Sequence, residues 1–229
     1  MSQSDAGWRI GAMTRWSDFW RADLPPAFAG LQAAAREVGS IQIQNSGTVA
    51  GNLCNASPAA DGVPPLLTLE AEVEVASQRG TRRIPLQEFI TGVRRIDLAA
   101  DELVTAVHIP PLAGVPGAAF EKLGSRRYLV ISIAMVAALV RVEAGHITEA
   151  RIAVGACSPV AQRLPALEQA LAGRDIAGLA QVAFDDPAHF SALSPIDDVR
   201  GSADYRIAAV GELCRRAVVA AMEEGARHG

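Results

Sequence analysis

The residues best suited to chemistry lie in one run, Gln42-Ile43-Gln44-Asn45-Ser46-Gly47-Thr48-Val49-Ala50-Gly51-Asn52-Leu53-Cys54-Asn55-Ala56-Ser57-Pro58-Ala59-Ala60-Asp61. It gathers amides, hydroxyls and small side chains, and its first charged residue is Asp61. Glycine allows positive φ and lets a ligand approach the backbone closely. Successive exposed N–H groups beside Thr and Ser hydroxyls make a concavity suited to a diphosphate. A carboxylate at the far end can accept hydrogen bonds from ribose or ribityl hydroxyls. The same composition also describes an ordinary polar surface loop, and residue types alone leave both readings open. A second signal is compositional: all the basic residues are arginine except Lys122. A position that keeps lysine against that preference can require a compact ammonium rather than a planar fork, the alternative being chance survival at the surface.

Other chemistries find little support. With 21 basic against 25 acidic residues the net charge is -4, which argues against a nucleic-acid or anionic-membrane partner. Cys54, Cys157 and Cys214 lie far apart and cannot build a zinc or iron–sulfur site by themselves. Their odd number suits a reducing compartment, so a cytoplasmic location is expected. No GxxxxGK[ST], GxGxxG, GxSxG or HExxH occurs. His108, His146, His189 and His228 are isolated and read as surface or turn residues. The longest apolar stretch, residues 128–140, is interrupted by Ser132 and is too short to span a bilayer. Residues 1–30 show no basic start followed by an apolar block, so no secretory signal is expected.

The elements that must position these residues follow from periodicity. A short strand is predicted at 8–12, a helix at 27–38 stopped by Gly39, and alternation at 41–43 leading into the polar run from 44 to 61. A short helix begins at Pro64-Pro65, and strands follow at 70–76, 83–86 and 102–109, with an irregular connection at 89–98. The proline- and glycine-rich stretch 110–117 divides the chain. Beyond it, an apolar strand at 131–142 turns at Ala144-Gly145-His146 into a partner strand at 147–155. Helices are predicted at 165–171 and 205–224, separated by a surface loop at 185–200. The fold class is α+β in two parts.

These motifs, in order, resemble a known family. Ile43-Gln44-Asn45-x-Gly47-Thr48-Val49-x-Gly51-Asn52-Leu53-x-x-Ala56-x-Pro58-Ala59-Ala60-Asp61 resembles the second FAD-binding segment of the molybdenum hydroxylases, the family of xanthine, aldehyde and carbon monoxide dehydrogenases. Trp8-Arg9-Ile10-Gly11-Ala12-Met13-Thr14 resembles the family's preceding strand. Asp101-Glu102-Leu103-Val104 through Ile109-Pro110 resembles the end of its flavin domain, and Phe120-Glu121-Lys122-Leu123-Gly124-Ser125-Arg126-Arg127 the start of its C-terminal domain. The resemblance implies a truncated PCMH-type FAD-binding domain over residues 1–112 and a carbon monoxide dehydrogenase flavoprotein C-terminal-like domain over 117–229.

By the same resemblance Thr48, Val49, Gly51 and Asn52 line the dinucleotide, Asp61 binds a hydroxyl-bearing part of FAD, the Val104 backbone lies against the flavin, and the Lys122 ammonium offsets cofactor charge. No catalytic side chain is implied, because the flavin carries the redox chemistry. The implied partners are a [2Fe–2S] small subunit and a molybdopterin-binding large subunit, with NAD+ or another acceptor taking the electrons. In two places the chain departs from the pattern. Ala50 stands where the family has the first of a glycine pair. The Gly-Gly-Thr loop that grips the pyrophosphate in the family's opening subdomain does not occur. The expectation is therefore a truncated start, a loop supplied by another polypeptide, or an assembly module that no longer binds flavin.

Overall fold

A computed structural model describes residues 1–228. The chain opens with a hairpin, β1 (Ser2–Ser4) and β2 (Gly7–Gly11), followed by α1 (Trp16–Arg21), a 3-10 turn at Pro26–Phe28, and α2 (Ala29–Glu37). Three short helices follow: α3 (Ile41–Ser46), α4 (Val49–Asn55) and α5 (Val63–Thr68). Next come β3 (Glu72–Ser77), β4 (Gly80–Pro85), α6 (Leu86–Phe89), a small hairpin of β5 (Ile90–Gly92) and β6 (Arg95–Ile96), and β7 (Leu103–Ile109). The second part holds β8 (Gly117–Leu123), β9 (Ala134–Glu143), β10 (His146–Gly155), β11 (Gln162–Arg163), α7 (Pro165–Leu171) and the long α8 (Ala203–Ala226).

The strands form a five-stranded sheet, ordered β1-β2-β7-β3-β4, and a four-stranded sheet, ordered β11-β10-β9-β8. Every pairing in both is antiparallel. β3 shows the reason for its register: Val73 and Val75 are buried while Glu72 and Glu74 point to the other face. β9 and β10 are joined through Ala144 and Gly145, both at positive φ, as a two-residue hairpin demands. One core joins Trp16, Phe19, Phe28 and Leu31 to Val73, Val107 and, from the second sheet, Leu139 and Ala153. A second core lies between β9, β10 and the inner face of α8. α5 packs across β9 and β10, and α2 lies against β8, so helices of the first part hold the second sheet in place.

Three expectations are corrected. The alternation at 41–43 belongs to a helix: Ser40 caps it by accepting from the Ile43 N–H at 3.4 Å, and Ile41 and Ile43 are both exposed, so their spacing marks no buried strand face. The connection at 89–98 is no irregular loop, because it carries the β5–β6 hairpin. His108 is buried, not a surface or turn residue, and its Nε2 lies 2.7 Å from Glu74 Oε2. Glu74 also takes Arg9 Nη2 from β2 and Thr105 Oγ1 from β7, each at 2.6 Å. One carboxylate thus stitches three adjacent strands.

Two outcomes are expected. The Arg9 guanidinium, helped by Thr105 and His108, holds the Glu74 carboxyl at about 2, below its ordinary 4.5. A depressed folded-state value contributes stability that is complete above the ordinary value and is lost as pH falls toward the folded one. The stability difference between wild type and Glu74→Gln should therefore be largest near neutral pH and vanish toward pH 2 in urea titrations. At Gly30, a Cβ would lie 2.9 Å from the Ala119 carbonyl oxygen, a backbone atom that cannot swing away. Gly30→Ala should destabilise the fold by about 1–3 kcal/mol through overpacking, read from the same titrations.

Candidate functional site

The run that stood out in the sequence is built mainly as α4 and its flanks. Thr48 is the N-cap, and its Oγ1 accepts from the Gly51 N–H at 3.0 Å. The Val49 N–H donates to the Thr14 carbonyl at 3.0 Å, and the Asn52 N–H to the Thr48 carbonyl at 3.1 Å. These donors are thus satisfied within the chain, and the polar stretch expected as a loop with open N–H groups is largely helical. Ala50 takes the helical conformation of α4, so no glycine is needed there. Val49 points into the core, fully buried. The helix ends at Ala56, which is left-handed at φ 44°, and Arg94 secures that end by donating its backbone N–H to the Ala56 carbonyl at 2.9 Å.

From there the chain turns through residues 57–60 to Asp61 and Gly62. At Gly62 it passes so close to α1 and α4 that a Cβ would sit 2.5 Å from the Trp16 ring and 3.0 Å from Asn52 Oδ1. Only glycine allows that approach, and it places Asn52 beside the backbone next to Asp61. Asn52 Oδ1 is buried and has no hydrogen-bond partner within the protein.

Asp61 meets Lys122 of β8. Lys122 Nζ lies 2.7 Å from Asp61 Oδ2, and the two side chains are only 7% and 9% exposed. Ser132, fully buried ahead of β9, donates its hydroxyl to Asp61 Oδ1 at 2.7 Å. Lys122 also donates to the Glu37 carbonyl at the end of α2, at 3.3 Å. Burial pushes the Asp61 carboxyl above its ordinary value, and the Lys122 ammonium and Ser132 hydroxyl offset this only in part. A cavity of about 410 Å³ opens on the Lys122 side of the pair, lined by Glu37, Phe120, Lys122, Arg126, Arg127 and Val130; of the expected site residues only Lys122 lines it. Arg126 curls back onto its own loop, donating to the Tyr128 carbonyl at 3.0 Å.

The structure therefore brings Asp61 onto Lys122, sets Asn52 beside Gly62 without a hydrogen bond to either, and couples Thr48 and Gly51 to each other on the first turn of α4. Val104 lies elsewhere, on β7 opposite Val75, in the sheet that α4 packs against. Three contributors escaped the sequence reading: Ser132, Gly62 and the Glu37 carbonyl. Ser132 left a trace as the polar interruption of an apolar run. Gly62 and the carbonyl have no signature apart from the fold.

Comparison with known proteins bears on this arrangement. Residues 1–112 match the model of the FAD binding domain in molybdopterin dehydrogenase, and residues 118–221 match the CO dehydrogenase flavoprotein C-terminal domain. The chain is 36% identical to the nicotine 6-hydroxylase medium subunit of Paenarthrobacter nicotinovorans, over 86% of this chain and 67% of that protein. It is 34% identical to a xanthine dehydrogenase FAD-binding subunit of Escherichia coli O157:H7, over 72% of this chain but 57% of that protein, so the match spans little more than half of the latter. Among solved structures, a chain of carbon monoxide dehydrogenase from Hydrogenophaga pseudoflava superimposes with a TM-score of 0.84 at 31% identity, covering 94% of this chain and 75% of its own. Both halves of the sequence, the two-part α+β fold and these relatives agree, and the chain belongs to the FAD-binding medium-subunit family of the molybdenum hydroxylases.

Proposed function

We propose that this chain holds FAD and passes electrons from the [2Fe–2S] clusters of a partner small subunit to NAD+ or another acceptor, while a molybdopterin-binding large subunit oxidises the substrate. Residues 1–112 and 117–229 act as two domains with the flavin site at their junction. The observation that carries this reading is the meeting of Asp61, from the first part, with Lys122, from the second, at 2.7 Å beside an open cavity. The residues present fit the cofactor. Asn52 Oδ1 is a buried acceptor without a partner, suited to a hydroxyl or amino group of the dinucleotide. A Cβ built on Gly51 meets nothing but Thr48 Oγ1, so a ligand can approach the backbone there.

FAD supplies the redox chemistry when bound. The protein's own residues bind and orient. Asn52 accepts, and Gly51 and Thr48 leave room on the first turn of α4; Val104, on β7, stands apart from this group. Lys122 acts as a hydrogen-bond donor, since Asp61 already balances its charge. The proposed location is cytoplasmic, on the basis of the three unpaired cysteines. Among the described residues no helix is long and apolar enough to cross a membrane.

A second reading, an assembly module of the same complex that has lost FAD, is favoured by one observation: the backbone donors of Val49, Gly51 and Asn52 are already engaged. Flavin content decides between them. The protein purified with its partners should be yellow and release FAD on denaturation; a colourless complex supports the module. Lys122→Ala alone would strand a buried carboxylate and cost roughly 3–5 kcal/mol of stability. The double change Asp61→Asn with Lys122→Met removes both charges together. It should keep the wild-type circular dichroism while weakening FAD binding about tenfold; Gly51→Leu, whose Cβ would lie 2.9 Å from the capping Thr48 Oγ1, should weaken FAD binding as well. Equal flavin occupancy in both variants would contradict the site.

A further inference from the structure

We propose that Ser132 is a positioning residue for flavin binding, holding the Asp61 carboxylate in the one orientation that presents Lys122 to the cavity. This rests on the flavin reading above. The carboxylate has two oxygens and two protein partners, Ser132 Oγ on Oδ1 and Lys122 Nζ on Oδ2, both at 2.7 Å. A hydroxyl fixed on one oxygen stops the carboxylate from turning, so the ammonium on the other has one place to sit. Neither role nor residue follows from the flavin-contact positions, since Ser132 is fully buried behind Asp61.

Ser132 can do this because its carbonyl and the backbone of the adjoining Ile133 are held before β9 begins. The Ser132 carbonyl accepts from Arg200 Nη1 at 3.4 Å, and Arg200 Nε donates to Asp198 Oδ2 at 3.0 Å. Asp198 Oδ1 accepts from Arg206 Nη2 at 2.7 Å. Arg206, 1% exposed on α8, also donates to the Ile133 carbonyl and, at 3.1 Å, to the Ala156 carbonyl. The Ile133 N–H donates to the Leu123 carbonyl at 2.8 Å, one residue beyond Lys122. The 185–200 segment, read from sequence as a surface loop, thus ends in a charged brace behind the site. The remaining charged groups around it are Glu37, Glu121, Arg126 and Arg127 on the cavity wall. They are the same in wild type and in Ser132 variants, so they drop out of the comparison.

The test is FAD titration of the protein purified with its partners and freed of flavin, followed by flavin fluorescence from roughly pH 5 to 9, on wild type, Ser132→Ala, Ser132→Cys and the Asp61→Asn/Lys122→Met double variant. Thermal melts without flavin run alongside. Ser132→Cys conserves volume and keeps the measurement possible if Ser132→Ala folds poorly. Loss of the hydroxyl should weaken FAD binding about tenfold at neutral pH. It should also move the acid limb of the affinity profile to higher pH, because a buried carboxylate that loses a donor takes up a proton more readily. A merely structural serine would lower the melting temperature and leave that limb in place, and this result overturns the inference. So does wild-type affinity in both Ser132 variants with weakened binding in the double variant, which leaves the flavin reading standing. If the double variant binds FAD as wild type does, or wild type binds none, the flavin reading fails and this inference with it.

Discussion

A carboxylate and an ammonium withdrawn together from water set the terms for the rest of this molecule. Desolvation costs several kcal/mol per ion, so such a pair persists only when it is close and when the remaining lone pairs and protons find partners. Asp61 and Lys122 meet both conditions through Ser132 and the Glu37 carbonyl. Those partners come from different parts of the chain: the turn before α5, strand β8, the approach to β9 and the end of α2. Each must arrive within hydrogen-bond distance, and close packing at Gly30 and Gly62 is what lets α2 and the Asp61 turn come near enough.

The charge pattern shapes the chemistry. An isolated lysine would bring a net positive charge to a cofactor; a paired one brings directional donors on a locally neutral floor. The first turn of α4 follows the same logic, since its backbone donors are committed to Thr48 and Thr14. What stays without a partner is the buried Asn52 amide oxygen. A family whose redox chemistry resides in the flavin needs mainly a shaped, polar setting from the protein.

Much was legible in the residues. The helix at Pro64-Pro65, the long hairpin turning at Ala144-Gly145, and the terminal helix follow from local turn chemistry and periodicity that tertiary context leaves undisturbed. Reading failed where a pattern was local but its meaning was not. Ile41 and Ile43 alternate like a strand, yet Ser40 caps a helix and no strand lies alongside to pair with them. His108 looked like a lone polar residue until strand pairing set it against Glu74. Residues 185–200 looked like a loop because aspartate and proline favour turns; that Asp198 also anchors a buried arginine could not be read from composition.

By itself, the sequence determined the residue types, the order of elements and the four ordered motifs, because these depend on spacing of a few residues along the chain. It singled out Asp61 and Lys122 as unusual. Only the tertiary structure decided that the two neutralise each other, that Ser132 stands behind them, and that Val104 lies on a separate strand. Those relations join residues dozens of positions apart, and they are settled by how closely backbones can pack and by the cost of leaving a buried charge without a partner.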